Sequence, residues 1–431
     1  MDLASKLFKG DRVIWVIFMF LCLVSVIEVF SATSTIAYKN ANHWAPIVRH
    51  ATFLLGGFVL VLLMHNIPCR FYSLLSLLLP VSMVLLAITP FVGVVVNGEP
   101  RWLEILGIRF QPSEIAKIAA IGYTAFILSK RNWFTDKQMF WYILGGVGGV
   151  CFLIFFNNGS TAILLFAVTF MMMFIGRVSS KKLLMLMGGL VLVAGLGVGT
   201  VIAIPAKTLH NTPGLHRLET WQNRIKGFFD KEDVPAAKFD IDKDAQIAHA
   251  RIAIATSHVV GKGPGNSIQR DFLSQAFSDF IFAIVIEEMG LIGGAFVVFL
   301  YLCLLMRAGR IAQKCERTFP AFLVMGIAIL LVSQAILNMM VAVGLFPVTG
   351  QPLPLISKGG TSTLINCAYI GMILSVSRYT AKLEEQRMHD AQVPMLVDAG
   401  NAESPEQPVD SEAQTAAEPT AKVLNSDAEF E

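Results

Sequence analysis

The chain has 431 residues, of which 55% are hydrophobic and 15% are charged, and its mean hydropathy is +0.62. Soluble globular domains carry roughly 25% charged residues. This composition excludes an ordinary soluble protein, and the formal net charge of +3 gives no reason to expect a nucleic-acid partner.

Apolar runs that are long enough to cross a bilayer recur along the sequence. About 20 apolar residues in a helix span about 30 Å of hydrocarbon, whereas a β-barrel would show alternating segments of about 10 residues. We therefore predict an all-α polytopic membrane protein with about ten transmembrane helices, the first of which lacks a cleavage site and is retained. The predicted spans are residues 13–33, 50–66, 72–96, 112–129, 139–156, 160–176, 183–205, 278–305, 320–343 and 361–379.

The distribution of Lys and Arg predicts the orientation, because these residues are enriched in cytoplasmic loops. If the N-terminus is cytoplasmic, seventeen of them lie in cytoplasmic segments and five in the short outer loops, with residues 206–277 left out. Both termini are therefore predicted to be cytoplasmic. Residues 206–277 become a large outer loop between spans 7 and 8, in which residues 219–225 and 244–259 are predicted helices.

The chain is divided into a transmembrane domain, residues 1–383, and a predicted disordered acidic cytoplasmic tail, residues 384–431. From residue 390 onward the sequence has ten carboxylates and one lysine, and such a segment buries too little apolar surface to offset the entropy of ordering. The six cysteines all lie in predicted spans or on the inner side. No disulfide framework and no zinc-ligand spacing is predicted.

Two charged segments flank the start of the fourth span. The first is a predicted outer turn, Asn97–Trp102, which contains Arg101. In the second, Pro112 favours a helix start, and Glu114 and Lys117 are three residues apart on one helix face. Unpaired charges are costly there, so one interpretation is a structural salt bridge. The other is that Lys117 or Arg101 binds an anionic head group.

Polar residues at the sixth and ninth spans have mainly structural interpretations. The turn Asn157–Thr161 precedes the sixth span, and Ser160 and Thr161 are predicted to cap that helix. Gln334 and Asn338 lie four residues apart inside the ninth span. We interpret them as hydrogen-bonding side chains between helices, with substrate binding as the alternative.

Asp279 stands where the long polar segment turns into the eighth apolar run. An ionisable group at the edge of a membrane span is energetically costly, so its presence indicates a functional role. The alternatives are a helix cap, a role that Ser278 can also fill, and a general base. Glu287 and Glu288 lie deeper and are predicted to be structural charge pairs, with Glu288 pointing to the opposite side of the helix. The cluster Gly261–Asn266, which contains Lys262, predicts a tight turn before this span.

The segment 344–362 contains three prolines and four glycines, so it cannot form a regular helix. Irregular backbone at membrane depth is tolerated where it is buried or lines a wet cavity. Donors at the start of the tenth span suit a phosphate group, and the alternative is a plain re-entrant loop that closes the bundle. The candidate donors are Ser357, Lys358, Gly359, Gly360 and Ser362.

Together these segments resemble the SEDS family of peptidoglycan glycosyltransferases over about residues 10–380. The loop 347–362 is more similar to the FtsW type than to the RodA type. Two positions depart from the family's pattern. The turn Asn157–Thr161 lacks the usual acidic residue, and Lys358 stands where the family commonly has tyrosine.

The resemblance implies that the chain polymerises lipid II at the outer face of the bacterial cytoplasmic membrane, in cell division, with Asp279 as the catalytic residue. The implied partners are undecaprenyl-diphosphate-linked glycan, a class B penicillin-binding protein that acts as transpeptidase, and other division-complex proteins. The leaving diphosphate needs positive charge, and the open candidates are a divalent cation and the side chains of Lys358, Lys117, Arg101 and Lys262. No other cofactor is implied. Two alternatives are a lipid-diphosphate flippase and a non-catalytic division scaffold.

Overall fold

The computed structural model describes residues 8–39, 45–96, 99–105, 107–204, 222, 241–273 and 277–402. The chain forms two compact units, Met1–Lys382 and Leu383–Glu431. In the second unit, helix continues to Ala402, past residue 384, where we predict a disordered tail to begin. Residues 403–431 lie outside the described part, so the disorder of the tail stays a prediction there.

Each of the ten predicted spans falls on a helix, and the chain is an all-helical multi-pass membrane protein. Seven helical segments in the described part are long and apolar enough to cross a membrane. The described α-helices are α1 Arg12–Lys39, α2 Ala45–Met64, α3 Leu78–Val92, α4 Pro112–Ser129, α5 Asp136–Phe155, α6 Gly159–Ile175, α7 Ser180–Ala203, α8 Ile241–Ala255, α9 Ile281–Lys314, α10 Thr318–Ala342 and α11 Thr361–Ala402. Short 3-10 helices occupy Cys69–Leu77 and Gln269–Asp271.

The segment between α3 and α4 forms a small antiparallel sheet, which the sequence did not lead us to expect. Its strands are β1 Val94–Val96, β2 Glu99–Ile105 and β3 Ile108–Phe110, in the order β1-β2-β3. Val94 pairs with Trp102, and Leu103 pairs with Phe110. The prediction that the third span extends to residue 96 is therefore wrong. The β-branched run after Gly93 pairs with the next strand instead of continuing the helix.

Helix α10 forms the centre of the bundle and packs against α4, α6 and α9. Its apolar side chains are buried around most of its circumference, as expected for a helix that is surrounded by other helices. Helix α7 is the opposite case, since residues 187–200 are all exposed. An apolar helix whose surface is not covered by protein suits a lipid environment.

Helix α9 is broken near its start at Gly290, whose φ of +72° is non-helical. The turn at 258–263 runs beside the break and bonds the backbone on both sides of it. The N–H groups of Lys262 and Gly263 donate to the carbonyls of Glu287 and Glu288 at 3.0 and 2.8 Å. In return, the N–H groups of residues 291 and 292 donate to the carbonyls of residues 258 and 259, both at 3.3 Å. The break therefore leaves these backbone groups paired, which an apolar environment requires.

The described part of the long segment 206–277 begins with α8. This helix covers residues 241–255, close to the predicted 244–259. The predicted helix at 219–225 lies, except for Gln222, outside the described residues. Neither the position of α8 nor the presence of Gln222 tests the prediction that residues 206–277 form an outer loop.

Gly261→Ala is expected to destabilise the protein more than Gly265→Ala. Both glycines have positive φ, +82° and +83°, so both substitutions strain the backbone. A Cβ at residue 261 would lie 2.3 Å from the carbonyl oxygen of Glu288, whereas a Cβ at residue 265 meets nothing within 4 Å. We expect the extra cost at residue 261 to be about 1–3 kcal/mol, measured by thermal unfolding in detergent. Equal losses in the two variants would contradict the close approach.

Candidate active site

Asp279 precedes α9 and does not cap it. The helix begins at Ile281, and the residue at its N-cap position, Phe280, is not bonded through a side chain. The capping alternative for Asp279 is therefore wrong. The Asp279 side chain is half-buried, and Ser278 Oγ donates to its Oδ1 at 3.0 Å. A Cβ on Gly350 would lie 3.7 Å from its Oδ2. The carboxylate thus faces the irregular segment between α10 and α11.

Two hydrogen bonds hold that segment directly against residues 277–279, and Asn338 bridges the two. Ser357 Oγ donates to the carbonyl of Ser278 at 2.7 Å, and the N–H of Lys358 donates to the carbonyl of residue 277 at 2.9 Å. Asn338, on α10, donates from Nδ2 to the carbonyl of Asp279 at 2.9 Å and to that of residue 351 at 2.8 Å. The backbone around Asp279 is therefore fixed to α10 and to the loop.

The loop itself is held in an unfavourable conformation. Leu355 has a φ of +65°, which is costly for a residue with a branched side chain. The carbonyls on either side of it are bonded, that of Pro354 by Tyr301 Oη and that of Ile356 by Ser25 Oγ at 2.7 Å. Strain of this kind persists only where surrounding contacts impose it, and it is concentrated at functional sites.

Lys358 carries a positive charge close to the Asp279 backbone. Its Nζ lies 5.2 Å from the ring centroid of Phe277. Burial lowers the pKa of Lys358, and the nearby Arg49 guanidinium on α2 lowers it further. The ion pairs formed among the described residues include neither Lys358 nor Arg49. Two cations that lie close together with no carboxylate between them favour an anion.

Gly359, Gly360 and Ser362 surround the start of α11 at Thr361. Gly360 has a φ of +53°, and a Cβ on Gly359 would lie 2.0 Å from Ser362 Oγ. Ser362 Oγ donates to the carbonyl of Gly359 at 3.0 Å. The hydroxyl protons of Ser362 and Ser357 therefore both bind backbone carbonyls. Of the anion donors that the sequence predicts here, Lys358 and the backbone N–H groups are left.

Lys117 is fully buried and paired inside the bundle. Its Nζ lies 2.8 Å from Oε1 of Glu114 and donates to Oε1 of Gln334 at 3.1 Å. Gln334 in turn donates from Nε2 to the carbonyl of Pro352 at 3.0 Å. These contacts join α4, α10 and the loop 344–360. They agree with the salt-bridge interpretation of Glu114 and Lys117 and show Gln334 bonding between helices.

Glu287 and Glu288 both bind the segment that precedes α9. Glu287 lies 2.6 Å from Nζ of Lys262 and accepts from Ser267 Oγ at 2.5 Å. Glu288 accepts from Ser31 Oγ and from the N–H of Ser267 at 3.2 Å. Glu287 and Glu288 are thus paired, and partners of both lie on one loop. The segment wraps round the helix, so side chains about 100° apart reach the same loop.

Arg101 lines a small cavity between β2, α4 and the turn before α6. The polar residues around it are Gln111, Ser113, Asn157 and Asn158. The cavity therefore brings a guanidinium together with amide and hydroxyl groups.

The turn before α6 also holds the loop. Asn158, not Ser160 or Thr161, caps the helix: its Oδ1 accepts from the N–H of Thr161 at 3.3 Å. Ser160 Oγ instead donates to the carbonyl of Thr349 at 2.8 Å, and Gln351 Nε2 donates to Thr161 Oγ1 at 2.7 Å. Sequence reasoning missed Thr349 and Gln351, because nothing in their local pattern indicates contacts almost 190 residues away.

Among the described residues, no group of three or more His, Cys, Asp or Glu side chains could hold a metal ion.

A comparison with protein families decides the classification. The family model FTSW_RODA_SPOVE, described as cell cycle protein, matches residues 11–382. The chain belongs to this family. The matched region of this FtsW/RodA family contains every described contact to Asp279, Lys358 and Lys117 given above.

Individual relatives agree with this classification. The chain is 33% identical over 384 residues to a probable peptidoglycan glycosyltransferase FtsW from Halomonas elongata, covering 85% of this chain and 90% of that protein. A protein of the same description from Trichlorobacter lovleyi is 32% identical over 385 residues, covering 86% and 94%.

Solved structures share the fold. The rod shape determining protein RodA of Thermus thermophilus superposes with a TM-score of 0.59 at 22% identity, covering 86% of this chain and 97% of that one. A chain of a peptidoglycan synthase complex gives a TM-score of 0.62 at 23% identity, covering 86% and 98%. The ten-span architecture is thus that of the FtsW/RodA family.

Lys117→Met is expected to destabilise the protein by about 3–5 kcal/mol, because it leaves the buried Glu114 carboxylate without its cation. The double variant Lys117→Met/Glu114→Gln is expected to recover most of that loss. In the exposed pair Arg109–Glu104, whose side chains are 60% and 38% exposed, Arg109→Met should cost only about 0–1 kcal/mol. Thermal unfolding of the four purified proteins measures the differences. A double variant no more stable than Lys117→Met would count against a structural pair.

Proposed function

We propose that this protein is a peptidoglycan glycosyltransferase that polymerises lipid II into glycan strands, with Asp279 as the general base. The observation that carries the proposal is the Asp279 carboxylate, which does not cap α9 and faces the strained loop 344–360. The same loop carries Lys358, which lies near Arg49 and forms no ion pair among the described residues. The relatives named probable peptidoglycan glycosyltransferase FtsW support the reaction class.

The proposed reaction needs one base and one site of positive charge. A sugar hydroxyl of one lipid-linked unit attacks the anomeric carbon of another. As the new C–O bond forms, Asp279 accepts the hydroxyl proton, and the bond between the anomeric carbon and the diphosphate oxygen breaks. The lipid diphosphate leaves with the bonding electron pair, and positive charge beside it stabilises the transition state.

Lys358 is the best placed of the candidate cations for the diphosphate. Lys117 is buried and bound to Glu114, and Lys262 is bound to Glu287. Lys358 has neither restraint, and Arg49 lies near enough to perturb its pKa. We assign the diphosphate to Lys358 with Arg49 beside it, and we assign structural roles to Lys117 and Lys262.

The distribution of Lys and Arg and the similar solved structures support a proposal for the orientation and partners of the enzyme. The excess of Lys and Arg on one side favours cytoplasmic termini, with Asp279 facing outward, where lipid II is displayed. A chain with a similar fold is part of a peptidoglycan synthase complex that coordinates polymerisation with crosslinking. We propose that this chain likewise works with a class B penicillin-binding protein, in cell division.

Asp279→Asn is expected to lower the rate of polymer formation by about 10²–10⁴-fold, because the amide cannot accept the hydroxyl proton. The assay supplies lipid II to the purified protein and resolves glycan polymer on a gel. Asp271→Asn, which changes an exposed carboxylate in the preceding 3-10 helix, is the matched control and should retain activity. Undiminished polymer from Asp279→Asn, with unchanged unfolding temperature, would refute the role of Asp279.

Lys358→Met is expected to lower the rate by about 10²-fold through loss of the cation, whereas Lys358→Arg keeps the charge and most of the activity. The pH profile adds a second measurement. Because the pKa of Lys358 is lowered, the wild-type protein loses this charge as pH rises at a lower pH than an ordinary lysine would. Lys358→Arg should therefore extend activity to higher pH. An unchanged alkaline limb would contradict the assignment of the diphosphate to Lys358.

A further inference from the structure

Two valines at the tip of the turn beside the broken helix are exposed, although the turn is bound into the bundle. Val259 is 58% exposed and Val260 is 76% exposed. The neighbouring helix residues Leu291 and Ile292 are 53% and 60% exposed. The two segments run side by side, because the carbonyl of Val259 accepts a hydrogen bond from the N–H of Ile292. They form one apolar surface shared by a loop and a membrane-spanning helix.

The level of this surface in the membrane follows from the length of α9. Near the other end of the helix, Arg307 pairs with Asp11 at 2.5 Å, at the start of α1, and this ion pair marks the polar boundary. About 20 helical residues cross about 30 Å of hydrocarbon, which places the second boundary near Glu287. Gly290 then lies about 4–5 Å inside the apolar layer. The turn is bonded to the backbone at this level.

The backbone of the turn is paired where it runs beside the helix break. Exposed backbone polar groups are excluded from hydrocarbon unless they are bonded within the protein. The turn bonds on both sides of the helix break, with two carbonyls accepting and two N–H groups donating. The charge that follows it, Lys262, is paired with Glu287. At the tip, the side chains of Val259 and Val260 are exposed, and the side chain of His258 beside them is exposed as well.

We propose that the turn at 258–261 inserts Val259 and Val260 among the lipid acyl chains of the leaflet at the Asp279 end. Acyl chains are the chosen occupant because the valines continue the surface that Leu291 and Ile292 present within a membrane-spanning helix. The insertion anchors the segment that precedes α9 to the lipid next to the carboxylates that bind it. The inference rests on the membrane-spanning fold and does not depend on the proposed reaction.

Photocrosslinking of the full chain in lipid nanodiscs tests the insertion. Val260 is replaced by p-benzoylphenylalanine, and adducts are identified by mass spectrometry after irradiation. The same replacement at Leu291 is the positive control, and that at Asp271, which is exposed and polar, is the negative control. We expect lipid adducts at residues 260 and 291 and no lipid adduct at residue 271. Val259 provides a second position if the variant at 260 does not fold.

The proposal is overturned if residues 259 and 260 give no lipid adduct while residue 291 does. It is also overturned if, in membranes of the producing cell, residue 260 crosslinks to a protein in place of lipid, because the surface would then bind a partner helix. Polymer formation by the unmodified protein is measured separately, so a failure of the proposed reaction is distinguishable from a failure of the insertion.

Discussion

The arrangement of the site depends on two carboxylates, Glu287 and Glu288, that hold the segment preceding α9 against that broken helix. A carboxylate near the apolar layer is tolerated only with partners, and here those partners are Lys262, Ser267 and Ser31. The backbone bonds at Gly290 then fix the turn beside the helix. Asp279 lies two residues before the same helix begins. The contacts of Glu287, Glu288 and Gly290 therefore also help to fix its position along the helix axis.

A second polar network fixes the other side of the site. Lys117 binds Glu114 and Gln334, and Gln334 and Asn338 bind the backbone of the loop and of Asp279. The charge of Lys117 is thus paired inside the bundle, which supports the structural role proposed for it. What distinguishes Lys358 is therefore its lack of a carboxylate partner among the described residues, in a bundle where the other central cation is neutralised.

The two departures from the family's pattern have different meanings in the structure. The turn before α6 has no carboxylate, and its polar side chains cap the helix and bind Thr349 and Gln351. That turn thus supports the loop mechanically. Lys358, by contrast, adds a charge next to Arg49. The departure at Lys358 adds a positive charge to the site. The departure at the turn Asn157–Thr161 leaves that turn without an ionisable side chain.

The sequence by itself determined the membrane-spanning class and the ten helices, and it made Asp279 a candidate, because hydrophobic length and a costly carboxylate are local properties. It also predicted the pairing of Glu114 with Lys117, which are one helical turn apart. It could not determine the sheet after α3, the shared loop of Glu287 and Glu288, or the contacts of Ser357 and Asn338. Those depend on which distant segments meet in space. Only the tertiary structure decided that Lys262 has a carboxylate partner in Glu287, because that partner comes from a segment 25 residues further along the chain.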